Sequence, residues 1–414
     1  MNFTNAIFAA LALLSLALAL WQWLAARQCP LHRRVADLSF APAITLLKPL
    51  KGCDDTTADS LRSWFRQNYT GPIQILFGVA DANDPVCEIV RALIAENPRH
   101  DAQLVVCDRL SGANAKVAKL VQLEILAKHD LILVSDADVR VPPDFLANIV
   151  APLRDEGRAA LPRRQAEQQL GPTMLMEGAA ASRARSQIGL VNCFYRFANP
   201  TTLAMQWEAI ATNADFWSQV LQAASLKRLD FALGAVMLTR RKWLEEIGGF
   251  KALADCLADD YQLGRRIAKN GRRIALCPVV VDCWDEPMNW SEVWKHQLRW
   301  ARTIRVCRPL PYFFSILSNA TFWPLLWLAV SLISSTTLCA PLAAAACVMI
   351  RIALAQNLQR RFTPERSLVS PFWLVPVKDL LQVALWLGAF TGSTVEWRGR
   401  RMKLRRDGTL VEKS

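Results

Sequence analysis

The chain has 414 residues, a formal net charge of +13 and 52% hydrophobic side chains, enough for two or three folding units. The positive charge leaves a nucleic-acid partner open. The basic residues, however, cluster beside apolar segments, at Arg299, Arg302, Arg305 and Arg308 and again from Arg398 to Arg406, and attraction to anionic lipid headgroups accounts for that placement better. The eleven cysteines form no CxxC pair and the four histidines no cluster, which argues against structural zinc and a disulfide framework and for free thiols in a reducing cytosol.

The first 26 residues carry no charged side chain, and Phe3 to Ala26 is long enough to span a bilayer. No basic stretch precedes this run and Trp21-Gln22-Trp23 ends it, so residues 1–27 read as a retained anchor, not a cleaved leader. Arg27, Arg33 and Arg34 follow, placing the N-terminus outside and the next segment in the cytoplasm by the positive-inside rule.

Strand-like and helix-like segments then alternate. Strands are expected over Ala43–Leu47 (then a Lys48–Gly52 loop), Pro72–Val79, Gln103–Cys107 and Leu131–Val134; helices over Ser60–Asn68, Pro85–Glu96 and Asn114–Ala127. Such alternation implies an α/β fold with a mostly parallel sheet covered on both faces, with ligands at the carboxyl ends of its strands. Gly157–Gln187 breaks the rhythm and reads as a surface insertion. Further strands are expected over Ile188–Phe194, Ala235–Thr239 and Arg273–Asp282, and helices over Trp207–Ala224, Lys242–Ile247, Leu257–Lys269 and Glu292–Thr303. From Pro309 to Ile350 there is no charged residue, which suits a hairpin of two spans. A third apolar stretch, Phe372–Val395, is interrupted by Lys378-Asp379. Ionised groups are costly at mid-membrane, so two net crossings are expected, with one C-terminal segment re-entrant or interfacial.

Five groups of residues carry candidate chemistry. Asp136-Ala137-Asp138 puts two carboxylates at a strand end, as a divalent cation on a sugar-nucleotide diphosphate requires; the bland reading is a solvated acidic turn. Asp81 ends another apolar strand, either to contact a nucleotide or to form the turn before Pro85. Asp259-Asp260 opens a helix, where the pair either complements the helix dipole or supplies a general base, Asp260 by preference. His296-x-x-Arg299-Trp300 offers an arginine for phosphate and a tryptophan for the membrane interface, or is simply an interfacial basic-aromatic helix. Lys116 either touches a diphosphate or is an ordinary helix lysine.

These motifs, with Leu46-Leu47-Lys48-Pro49-Leu50-Lys51-Gly52, Phe77 to Asp81 and Gly112-x-Asn114-x-Lys116, make the chain resemble the ceramide glucosyltransferases, membrane-bound GT-A enzymes of the D,D,D,(Q/R)xxRW type. The resemblance runs from about Ala43 to Arg308 and extends weakly to Trp397–Arg401. Within the family, Ala258–Tyr261 and His296–Arg305 look more like the bacterial branch associated with hopanoid biosynthesis, which transfers N-acetylglucosamine to a bacteriohopane polyol; ceramide enzymes transfer glucose to ceramide. The resemblance implies a GT-A (Rossmann-like) catalytic domain over 40–308, interrupted at 157–187, followed by membrane segments over 309–397 and a basic cytoplasmic tail over 398–414. It implies a UDP-sugar donor, a lipid acceptor (hopanoid or ceramide), a Mg²⁺ or Mn²⁺ ion on Asp136 and Asp138, nucleotide contact by Asp81, and Asp260 as the base of an inverting, non-processive transfer. Lys116, Asp136, His296, Arg299 and Trp300 would complete the donor and acceptor site at the bacterial inner membrane. Two features depart from the family: His296 stands where Gln or Arg is usual, and the 157–187 insertion is uncommon, either a neutral surface loop or a lid. Two other functions fit part of the same pattern, a processive polysaccharide synthase and a catalytically silent membrane scaffold that binds a sugar nucleotide or lipid.

Overall fold

A computed structural model of the protein describes residues 3–108, 111–158, 187–334, 338–363, 369–397, 400–405 and 407–412. Most of the expected insertion, and Arg398 and Arg406 of the basic tail, lie outside these residues. The chain forms two compact units, one of Met1–Pro30, Arg196–Lys227 and Pro287–Ser414, the other of Leu31–Tyr195 and Arg228–Glu286. Neither is continuous in sequence.

The second unit is α/β, as its alternation implied, but its sheet is mixed and not mostly parallel. Its sheet has eight strands: β1 Ile44–Pro49, β2 Ile73–Val79, β3 Asp101–Val106, β4 Leu131–Ser135, β5 Val139–Arg140, β6 Ile188–Phe197, β7 Val236–Arg240 and β8 Arg273–Cys283. They lie in the order β3-β2-β1-β4-β7-β6-β8-β5. The β3-β2-β1-β4 half is parallel, and β7 runs antiparallel to both β4 and β6. After β1 the chain steps outward to β2 and β3, then returns to place β4 on the other side of β1. The gap between β1 and β4 is therefore a topological switch point, where a crevice opens at the strands' carboxyl ends.

β1 runs two residues beyond the expected loop boundary. Lys48 and Pro49 pair with Phe77 and Gly78 of β2, while pairing with β4 stops at Leu47. Leu50 N–H bonds to Gly78 at 2.7 Å, so by alternation the N–H that Pro49 lacks belongs to the side where pairing has already ended. Beneath the sheet, Leu47, Leu76, Val117, Ile132, Val134, Leu190, Met237 and Ile267 form one buried cluster. Each such side chain contributes about 1.5–3 kcal/mol by leaving water.

The first unit is mainly helical and ends in a three-stranded antiparallel sheet of Thr394–Trp397, Arg400–Leu404 and Leu410–Glu412. Its N-terminal helix Phe3–Gln28 buries Asn5, Ala9, Ala12, Ser15, Ala19 and Gln22, a three- and four-residue spacing of small and polar side chains. Small residues on one face let helices approach closely. Trp327 Nε1–H bonds Asn5 at 2.7 Å and Trp23 Nε1–H bonds Asn357 at 2.9 Å. Among the described residues two helices are long and apolar enough to cross a membrane, Phe3–Gln28 and Cys339–Phe362; a third candidate is the pair Pro309–Ser318 and Phe322–Ile333, bent by 47°.

The C-terminal spans differ from expectation. The long helix runs past Ile350 to Phe362 and includes Arg351, while Leu374–Phe390, with Lys378 and Asp379, is only 17 residues long. A charge-free window misplaces these ends because the charges are buried and paired with one another. Paired ions inside a bundle escape most of the cost of membrane burial.

Candidate active site

Of the carboxylates expected at strand ends, Asp136 and Asp138 follow β4, beside the switch point, whereas Asp81 follows β2. β4 ends at Ser135, and Asp136 N–H bonds to Ala235 at 3.2 Å. Beneath the turn, Lys48 Nζ donates to the Asp136 carbonyl at 2.5 Å and to Ser135 Oγ at 3.3 Å. Lys48 is fully buried, and desolvation lowers its pKa to about 7. The Asp138 carbonyl accepts from Trp284 N–H at 3.2 Å. Burial, reinforced by the negative charges of Asp136 and Asp285, pushes the Asp138 carboxyl up to about 7.

Lys116 is not an ordinary helix lysine. Its Nζ pairs with Asp136 at 2.7 Å and with Asp259 at 3.2 Å, and the residue is only 9% exposed. It is positioned by Asn114, whose side chain caps the helix Ala115–Leu126 by accepting from Lys116 N–H and Val117 N–H at 3.0 and 3.2 Å. The same Asn114 amide donates to Cys256 O at 2.8 Å and to Asp259 at 3.4 Å. The Lys116 ammonium thus joins the β4 end to the start of the helix Asp259–Lys269.

The neighbouring aspartates differ in what holds them. Asp259 is bound by Lys116 and Asn114. The Asp260 carboxylate accepts from Tyr261 N–H at 2.7 Å. Its pKa is raised to about 6, first by burial and then by the Asp259 charge, against a lowering pull from Lys116. Gly234 makes room for it: a Cβ there would stand 2.8 Å from Asp260 Oδ2.

Asp81 follows β2, is exposed, and accepts from Asn83 N–H at 2.9 Å. Its turn is anchored by Asp84, whose two carboxylate oxygens each accept from Gly52 N–H at 3.0 Å. Gly52 sits at φ +67°, so a side chain there would be strained. The parallel register puts this loop and the one after β1 at the same sheet edge.

His296, Arg299 and Trp300 belong to the helical unit, on the helix Trp290–Cys307. His296 Nδ1 meets Glu208 Oε1 at 2.7 Å, and Gln297 Nε2–H donates to the same oxygen at 2.7 Å. The two residues competing for the motif position therefore share one buried carboxylate. The Trp300 ring lies 4.7 Å from that of His296 and near Phe197 and Phe216.

Residues 7–174 and 170–410 match the family model described as glycosyl transferase family 21. The chain belongs to this family. It is 34% identical over 128 residues to a ceramide glucosyltransferase of Candida albicans, covering 28% of this chain and 24% of that protein. It is 22% identical over 246 residues to ceramide glucosyltransferase 3 of Caenorhabditis elegans, covering 59% of this chain and 47% of that protein. The chain thus spans less than half the length of these curated relatives. Among solved structures, a mannosyltransferase from Pyrobaculum calidifontis, in complex with GDP-Man and Mn²⁺, aligns over 94% of this chain and 97% of its own at 19% identity, with a TM-score of 0.49. The α/β unit with flanking apolar helices is the GT-A class expected for a family 21 glycosyltransferase.

Several residues around these carboxylates leave no local signal in the sequence. Lys48 stood in the resembling motif without a role, because nothing in a run of Leu, Lys and Pro marks a lysine as buried. Asn114 is an ordinary N-cap residue by type, and its bond to Asp259 spans 145 positions. Asp285, whose negative charge helps to raise the proton affinity of Asp138, lies beyond β8.

Proposed function

We propose that this chain is a non-processive, inverting hexosyltransferase. It moves one sugar, glucose or N-acetylglucosamine, from a UDP-sugar to the hydroxyl of a membrane lipid, ceramide or a hopanoid polyol. The observation that carries this reading is the contrast at Asp259-Asp260. One carboxylate is tied to Lys116 and Asn114, while the other has a proton affinity raised to about 6, close to operating pH, as a general base needs.

The donor set suits a divalent cation. Asp136 and Asp138 stand two residues apart, and burial first, then the charges of Asp136 and Asp285, raise the proton affinity of Asp138, a cost of ionisation that a bound cation would offset. Mg²⁺ or Mn²⁺ on these two carboxylates would complete its shell with substrate phosphates. When bound, the ion offsets charge on the diphosphate leaving group.

The chain's own groups account for the rest. Lys116 holds Asp136 and Asp259 in place and brings positive charge to the same edge. Asp81 contacts the nucleotide. Asp260 accepts the proton of the acceptor hydroxyl as its oxygen attacks the anomeric carbon. Arg299 and Trp300, with His296 beside them, serve the donor diphosphate and the acceptor at the membrane. The proposed location is the bacterial inner membrane with the catalytic unit in the cytoplasm.

The test is a donor-by-acceptor assay in membranes containing the protein. UDP-glucose and UDP-N-acetylglucosamine are each offered with ceramide and with a bacteriohopane polyol, with and without EDTA. One EDTA-sensitive pair yielding a single added sugar is expected. Full transfer by Asp260→Asn or Asp138→Ala would sink the assignment, and a polymeric product would move it to a processive enzyme.

A further inference from the structure

The α/β unit keeps a lysine where no solvent reaches it. Lys48, in β1, is 0% exposed, and taking a lysine out of water is costly. An apolar side chain would meet no such cost there. Lys48 Nζ donates to the Asp136 carbonyl at 2.5 Å and to Ser135 Oγ at 3.3 Å, and stands 5.2 Å from the centre of the Trp64 ring. Ser135 Oγ–H donates in turn to the same Asp136 carbonyl at 3.2 Å. Two acceptors and an aromatic face satisfy the group. With no exposed surface it cannot touch a substrate. What it touches is the peptide that opens the Asp136–Asp138 turn.

The backbone after that peptide is held in the same manner. From the helix Thr57–Phe65, Trp64 Nε1–H donates to Val139 O at 3.3 Å and Ser63 Oγ accepts from Val141 N–H at 3.2 Å. Gln67 Nε2–H follows with a bond to Pro142 O at 2.9 Å. Trp64 therefore both bonds the turn and lies against Lys48. Strand pairing adds little here, because β5 is only two residues long. The turn that carries Asp136 and Asp138 thus owes its shape to side chains of the preceding β1–helix segment.

We propose that Lys48 is a positioning residue for donor binding: it fixes the Asp136 peptide so that both carboxylates are set before cation and diphosphate arrive. The inference rests on the cation site and transfer proposed above. A turn ordered in advance does not have to be ordered on binding, which would otherwise weaken affinity by roughly tenfold for each backbone residue fixed. Partners that orient metal ligands from behind typically change cation affinity by about 10–100-fold when removed. The competing account is a lysine that only supports the sheet. Lys119 represents that account: it is 1% exposed and its Nζ also bonds a carbonyl at 2.5 Å, but that of Leu50, just past β1.

The test measures Mn²⁺ binding by electron paramagnetic resonance, on the full chain in detergent with saturating UDP and no acceptor. Lys48→Met should weaken Mn²⁺ binding about tenfold. In turnover it should raise KM for the UDP-sugar by a similar factor without moving KM for the lipid acceptor. Lys119→Met loses a bond of the same length and should lower the melting temperature while Mn²⁺ affinity holds. Trp64→Phe keeps the ring and deletes the bond to Val139; it should weaken Mn²⁺ binding about threefold, and it decides the matter if Lys48→Met does not fold. Wild-type Mn²⁺ affinity in folded Lys48→Met or in Trp64→Phe, an equal loss in Lys119→Met, or no saturable Mn²⁺ binding by the wild type would overturn the proposal. Mn²⁺ binding that depends on Lys48, without transfer to any lipid, would sink the enzymatic reading while leaving this role. Transfer with Lys48→Met at wild-type affinity and KM would do the reverse.

Discussion

Replacing Lys116 by Met tests whether the acidic edge of the sheet depends on one buried ammonium. The substitution keeps the aliphatic stem and deletes the charge that faces Asp136 at 2.7 Å and Asp259 at 3.2 Å. The two carboxylates lose differently. The Asp136 side chain is 37% exposed and can rehydrate, whereas that of Asp259 is 11% exposed and is left stranded. Removing one partner of a buried ion pair costs about 3–5 kcal/mol, and one such stranding is charged here. For a unit of this size, each kcal/mol is worth roughly 2–4 °C, so a drop of about 6–20 °C is expected. The comparison is Lys128→Met, which breaks a pair of the same 2.7 Å length with Asp101, but with side chains 55% and 40% exposed. An exposed pair is worth about 0–1 kcal/mol. Melting of the α/β unit is followed by intrinsic fluorescence in detergent, in the full chain and in the same buffer for both variants. Equal shifts for the two lysines would refute the reasoning, because pair length and residue type are matched and only burial differs.

Other expectations follow from the same geometry. Because the Asp260 pKa is raised to about 6 and the base works deprotonated, kcat/KM should rise with pH through about 6 and level above it; Asp260→Asn should lose about 10²–10⁴-fold, and an acid limb near 4 would contradict the assignment. Gly234→Ala would put a Cβ 2.8 Å from Asp260 Oδ2, displacing the base and lowering kcat by about 10²-fold while the melting temperature stays within a few degrees; unchanged kcat would show that Asp260 has room to move. Glu208→Ala deprives both His296 Nδ1 and Gln297 Nε2 of their shared acceptor, and chemical denaturation should report a loss of about 1–3 kcal/mol.

The order of strands and helices in the α/β unit was legible in the sequence, because alternating buried strands and amphipathic helices leave a periodic signature that needs no distant partner. Strand ends were less so. Pro49 extends β1 only because its missing N–H falls where β4 has stopped pairing, a fact of register between segments more than 80 residues apart. The acidic motifs were visible as residue types at strand ends, and the preference for Asp260 over Asp259 could be stated from sequence. What separates the two, the bonds of Asp259 to Asn114 and Lys116, spans more than 140 positions. Lys116 itself shows how composition misleads, since burial and not residue type turns a helix lysine into the counter-ion of two carboxylates.

The membrane segments mark the same division from the other side. Hydropathy by itself determined that apolar helices flank the α/β unit, since a run of some twenty apolar residues is a local property. It could not place their ends. Arg351, Lys378 and Asp379 read as interruptions along the chain, and only tertiary packing brings them to Asp215, where opposite charges offset the cost of burial. Pairing energy depends on distance in space, and separation in sequence does not encode it.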